Sequence, residues 1–91
     1  MKFLFLVLLS NKAEKQLKDI EKKMRKRIEE LFEVLENAPV PAKEYDIRKI
    51  RGEANAYRIR LSRFRITYVV FWKDKAVRIS KVEMRSESTY D

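Results

Sequence analysis

The chain has no cysteine and no histidine, a single glycine (Gly52) and two prolines (Pro39 and Pro41). Without cysteine or histidine there are no disulfides, no thiol nucleophile, no zinc site of the Cys/His kind and no histidine-based proton transfer. Any catalysis falls to Arg, Lys, Tyr, Asp, Glu, Ser or Thr. Long apolar runs are also missing. The longest is Phe3 to Leu9, seven residues, far too short to span a bilayer. It follows Met1-Lys2 as a signal segment would, but no small-x-small cleavage site comes after it. A continuous run of this length reads as a strand buried on both faces. Negative charge is scarce as well, with 14 acidic against 22 basic residues.

What is present in quantity is apolar surface and positive charge. The 91 residues are 45% hydrophobic and 40% charged, with a net charge of +8. That is enough for one small domain over 1–91, one sheet with helices on one face. A balance so basic points to nucleic acid, a membrane surface or an acidic protein as partner. The plain alternative is a solubility charge or a heat-adapted surface. Membrane binding is not expected, because no stretch combines a broad apolar helix face with an all-basic opposite face. Nothing argues for secretion, and a cytoplasmic location is expected.

Asn11, with Glu14 three residues on, has the spacing of a helix N-cap and capping box. Ala13, Leu17, Ile20, Met24, Ile28, Leu31 and Leu35 then recur at intervals of three and four, the stripe of an amphipathic helix. No glycine or proline interrupts residues 12–37. One helix of that length would be about 39 Å long, longer than such a domain is wide. A break near Glu21-Lys22-Lys23 into a helical hairpin is therefore expected. Pro39 and Pro41 end the helical region. Residues 45–51 read as a short or irregular strand, and Gly52 as a turn residue with positive φ.

The rest reads as strands at 56–61, 64–73 and 76–84. In the first two, Tyr57, Ile59, Leu61, Phe64, Ile66 and Tyr68 fall on one face, extended by Trp72, and Arg58, Arg60, Arg65 and Thr67 on the other. If Ser62-Arg63 is a two-residue loop, Arg60 lies directly opposite Arg65. Like charges opposed across a strand pair are destabilising, and an anionic ligand would account for them. The second strand is apolar on both faces, as a central strand is. In the turn 73–75, Asp74 is the expected left-handed residue. A shift in pattern from Val77/Ile79 to Val82/Met84 predicts a bulge near Ser80-Lys81. The expected fold is α+β, β-α-α-β-β-β: a helical hairpin on one face of a small, mainly antiparallel twisted sheet, with the arginine face open.

The ordered set Ile50-Arg51-Gly52, Tyr57-Arg58-Ile59-Arg60-Leu61, Phe64-Arg65-Ile66 with Tyr68, Val82 with Arg85, and a tyrosine near the end resembles the RelE/ParE superfamily of toxin–antitoxin systems. The likeness covers essentially the whole chain and is greatest to archaeal RelE-type toxins. It implies a metal-independent, ribosome-dependent endoribonuclease. Such a toxin cuts mRNA in the ribosomal A site by attack of a 2′-hydroxyl on the adjacent phosphate, leaving a 2′,3′-cyclic phosphate and a 5′-hydroxyl.

The resemblance also implies roles for particular residues. Arg58 and Arg60 match two basic residues on one strand. Arg65 matches a central arginine that clamps the scissile phosphate. Arg85 matches the basic residue that stabilises or protonates the leaving 5′-oxygen. Tyr90 matches a tyrosine that stacks on a base and takes the 2′-proton. Arginine does not deprotonate in proteins, so Arg60 acts only through its charge and Tyr90 is left as the general base. The turn pair usual in relatives, Gly-Asp, is Ser62-Arg63 here, and the frequent Gly-His before the late arginine is Glu83-Met84. The implied partners are the ribosome, mRNA and a RelB-like acidic antitoxin that wraps the toxin; no cofactor is implied. The alternatives are a ParE-like toxin that binds a topoisomerase without cutting RNA, and an inactive module that binds RNA or a partner.

Overall fold

The helical stripe of residues 13–35 and the alternating apolar residues of 57–82 meet in one buried cluster. Ala13, Leu17, Ile28, Leu31 and Leu35 pack against Ile59, Ile66, Tyr68, Val70, Val77 and Ile79. A computed structural model describes residues 4–85. The elements are β1 (Leu6–Leu9), α1 (Asn11–Lys18), α2 (Lys22–Asn37), β2 (Asp46–Lys49), β3 (Ala56–Leu61), β4 (Phe64–Phe71) and β5 (Ala76–Met84). The weak stretch at 45–51 thus supplies a full member of the sheet, and the order is β-α-α-β-β-β-β. The five strands lie in the order β1-β5-β4-β3-β2. Only β1 and β5 pair parallel; the other three pairings are antiparallel. β4 is central, as its two apolar faces require.

The helical region breaks at the expected place. Asp19 and Ile20 close α1 through their N–H groups to Gln16 and Leu17 carbonyls, and Glu21 is the N-cap of α2. The cap of α1 differs from the sequence reading. Ser10, not Asn11, is the N-cap: its Oγ accepts from Ala13 N–H at 3.0 Å. Glu14 then lies one residue beyond the capping-box position, and its N–H bonds the Ser10 carbonyl instead. Both Ser and Asn cap well. Ser10 wins because its hydroxyl also donates to the Ser80 carbonyl at 2.8 Å, tying the helix start to β5.

Three further expectations are corrected. β1 is an edge strand, not one buried on both faces: Leu6 and Leu8 are 61% and 48% exposed, while Val7 and Leu9 turn toward the helices. Trp72 lies past the end of β4 and is half exposed, its ring edge-on to Phe5 at 5.6 Å, so it does not extend the core face. In the turn after β4 the left-handed residue is Lys75 (φ 50°), not Asp74.

The remaining sequence readings of the turns hold. Gly52 has φ 82° in the turn between β2 and β3. Leu61 faces Phe64, so Ser62-Arg63 is a two-residue loop. Ser62 takes φ 57° and Arg63 does not share it, the sign pattern of a type II′ turn. The register of β5 against β4 slips between Thr67 and Tyr68: Thr67 faces Lys81 and Tyr68 faces Ile79, which leaves Ser80 as the bulged residue.

Candidate nucleic-acid interface

Residues opposite one another in neighbouring strands share a face of the sheet. Ile59, Ile66 and Val82 lie in one row under the helices. The residues between them form the other, open face. Nearest the β3–β4 loop, one row crosses four strands as Asp46, Arg60, Arg65 and Glu83. The next row is Arg48, Arg58, Thr67 and Lys81. The two rows are about 7 Å apart along the strands, at two residues' rise.

The predicted opposition of Arg60 and Arg65 is therefore present. What brackets it was only partly legible in the sequence. Asp46 on β2 lies opposite Arg60, with a carboxylate oxygen 3.9 Å from the guanidinium, and Glu83 on β5 lies opposite Arg65. An acid–Arg–Arg–acid row is how the sheet tolerates two arginines face to face. The Arg60–Asp46 pair is partly exposed and at the outer limit of ion-pair distance, so it contributes little by itself. The sequence offers Arg65 three nearby acids, Glu53, Glu83 and Glu87; that Glu83 is the one opposite it, and that Asp46 faces Arg60, depends on a cross-strand register set elsewhere. The Gly52 turn sets it for β2, and the Ser80 bulge sets it for β5.

Arg85 follows β5, and its backbone N–H donates to the Arg63 carbonyl at the loop. This holds it at the same end of the sheet. The Arg65 guanidinium is held below the ordinary arginine value, first by desolvation, then by the positive charges of Arg58, Arg85 and Arg60, with Glu83 acting in the opposite sense. Arg65 is thus the electrostatic centre of the cluster. It remains a cation at any physiological pH. Four of the predicted residues, Arg58, Arg60, Arg65 and Arg85, come together; Tyr90 lies outside the described residues. Tyr57 and Tyr68 sit on the helix side, rings 5.7 Å apart, and belong to the core rather than to a base-stacking platform.

Chemically, planar guanidinium forks converging on one surface suit tetrahedral or trigonal phosphoryl oxygens, which they hold bidentately. Among the described residues no group of three or more acidic side chains is placed to hold a metal ion. None of their helices is long and apolar enough to cross a membrane.

The model of the ParE toxin of type II toxin–antitoxin systems matches residues 7–89. The chain belongs to the RelE/ParE toxin superfamily. Within that superfamily it is 36% identical over 81 residues to the RelE1 protein of Methanocaldococcus jannaschii, a match covering 89% of this chain and 90% of the relative. Its fold matches RelE in the crystal structure of the archaeal RelE–RelB complex from Pyrococcus horikoshii OT3, with TM-score 0.84 and 32% identity, over 93% of this chain and 99% of that one. It also matches the isolated E. coli RelE toxin, with TM-score 0.75 and 25% identity, over 92% and 87% of the two chains. The superfamily and the two-layer α+β architecture are thus those expected from the arginine-bearing hairpin.

Proposed function

We propose that this chain is the toxin of a type II toxin–antitoxin system and acts in the cytoplasm as a ribosome-dependent endoribonuclease on mRNA in the A site. The observation that carries this reading is the convergence of Arg58, Arg60 and Arg85 around Arg65 on the open sheet face. In the proposed reaction the 2′-oxygen attacks the adjacent phosphorus and the P–O5′ bond breaks. The 2′-proton passes to a base, for which Tyr90 is the candidate, and the departing 5′-oxygen takes up a proton. The phosphorane-like transition state carries more negative charge than the diester. Fixed guanidinium groups therefore stabilise it more than the substrate, which is what accelerates the step. Arg65 is assigned to the nonbridging oxygens, Arg58 and Arg60 to the flanking charge, and Arg85 to the leaving oxygen.

An acidic antitoxin would oppose the same surface. The RelE of P. horikoshii crystallises with RelB, and we propose a RelB-like partner here. The family model that matches carries the ParE description, which favours a second reading: binding of a topoisomerase without RNA cleavage. Primer extension on mRNA from a purified translation system separates the two. Discrete cuts within A-site codons are expected, and Arg65→Ala and Arg85→Ala should each reduce them by about 10²-fold or more, the cost of one charge-stabilising donor. Thermal melts of both variants serve as the control for folding. Intact mRNA with the folded wild-type chain, together with DNA damage in cells, would favour the topoisomerase reading.

A further inference from the structure

The two rows on the open face differ in a way that the proposed chemistry does not use. The row Asp46–Arg60–Arg65–Glu83 pairs two cations with two carboxylates. The row Arg48–Arg58–Thr67–Lys81 has three cations, a hydroxyl and no carboxylate. Its ends, Arg48 and Lys81, are exposed, and its middle members are half-buried. Four neighbouring strands at about 4.8 Å spacing make the row about 14 Å long, longer than a single phosphodiester link. It runs straight across the strands beside the reactive arginines.

We infer that this second row is a track for the backbone of single-stranded RNA, with Arg48 and Lys81 binding phosphates on either side of the one that Arg65 would hold. The inference rests on the endoribonuclease reading for which phosphate is cut, but not for the binding itself. The row's composition favours a polyanion over a protein partner. It contains no apolar side chain, so a docking protein would gain little from burial there, whereas a phosphate backbone gains from released counterions. It contains no aromatic ring either, so bases have nothing in the row to stack on. Contacts to phosphate position a strand without reading its sequence. The track is therefore indifferent to sequence, and any codon preference arises elsewhere.

The test uses the full chain and short, fluorescently labelled single-stranded RNAs, one purine-rich and one pyrimidine-rich. Both carry 2′-O-methyl riboses so that 2′-attack is blocked. Arg48→Gln and Lys81→Gln should weaken binding of both RNAs to the same degree. Each should reduce the steepness of log affinity against log salt by about 0.7. Arg48→Lys and Lys81→Arg, which keep the charge, should restore the slope. In the translation assay the Gln variants should raise KM and leave kcat unchanged, as loss of uniform binding does. An unchanged affinity and salt slope in both folded Gln variants would overturn the track, and the row would then belong to an acidic protein partner. If wild-type chain cuts no mRNA yet the slopes fall as stated, the track stands and the endoribonuclease reading fails. If it cuts mRNA and the slopes do not change, the reverse holds.

Discussion

Tyr68 joins the core to the chain that leaves the helices. It is fully buried on β4, and its hydroxyl donates to the Pro39 carbonyl at 2.7 Å. Burial pushes its phenol well above the ordinary tyrosine value, with a smaller upward push from Tyr57. In the unfolded chain the phenol loses its proton near pH 10, as a free tyrosine does. Between that pH and the higher native value, the folded state holds a proton that the unfolded state has lost. Stability from this group is thus complete below about pH 10 and falls as the pH rises beyond it. Tyr45, also raised by burial and by Glu44, acts in the same direction. Tyr68→Phe should cost about 1–3 kcal/mol at neutral pH, because it leaves a carbonyl without its donor. It should also flatten the alkaline loss of stability. Urea midpoints from pH 8 upward, at steps through about pH 11, would show both effects; an alkaline limb as steep as the wild type's would contradict this account.

At the scale of elements, the bulge at Ser80 is what lets β5 serve two faces. Val77 and Ile79 before it, and Val82 after it, all point into the core, while Lys81 and Glu83 reach the open face. β1 ends at Leu9, so among the described residues no strand lies beside the outer edge of β5 beyond Ile79. α1 stands in for one. Ser10 Oγ donates to the Ser80 carbonyl, and Gln16 Oε1 accepts from Val82 N–H at 2.7 Å. Ser10→Ala should cost about 0.5–2 kcal/mol through the lost cap. Gln16→Ala should cost about 1–3 kcal/mol by leaving the Val82 N–H unpaired. In a domain of this size each kcal/mol lowers the melting midpoint by about 4–8 °C, so calorimetry resolves both. An unchanged midpoint for Gln16→Ala would mean that water replaces the side chain at no cost. These contacts also mark where sequence reading ends. The bulge and the hairpin loop were legible because each shifts the phase of an apolar pattern that only one arrangement keeps buried, and the helix break because one helix over 12–37 would be longer than the domain is wide. The cap was not: Ser10 and Asn11 are equivalent until β5 offers Ser80. Nor was the exposure of β1, since an apolar run looks the same in a central strand as in an edge strand with one bare face.

For the whole molecule, the open face is split. Leu4, Leu6, Leu8 and Phe71 expose apolar surface toward the β1 side, and the arginine rows occupy the end at the β3–β4 loop. Of the net charge of +8, the two rows and Arg85 gather six cations against two carboxylates on the open sheet face. The local hairpin carried Arg58, Arg60 and Arg65 in plain view. Arg48, Asp46 and Lys81 became neighbours of that cluster only through pairings of β2 and β5, and nothing in their own surroundings in the chain announces it; Glu83 was one of several acids within reach of Arg65 until the register chose it. The like-charge pair that seemed to demand a ligand is also eased by the fold's own carboxylates. The stronger case for a ligand therefore rests on the row that has none.

The pairing of the first strand with the last bears on how the protein is made. Ser10 and Ser80, which bond to each other, are 70 residues apart in the chain, and the ends of both arginine rows on β5 are translated after the other four described strands. Contacts of such long range form late, after the cost of closing the intervening loop. A nascent chain with β5 still inside the exit tunnel would have the β3–β4 hairpin outside but no completed basic surface. The basic surface is then completed only after β5 leaves the tunnel. A force-sensing arrest peptide placed at successive distances downstream should register folding only once Met84 has cleared the tunnel, and a strong earlier signal at the hairpin alone would refute the delay.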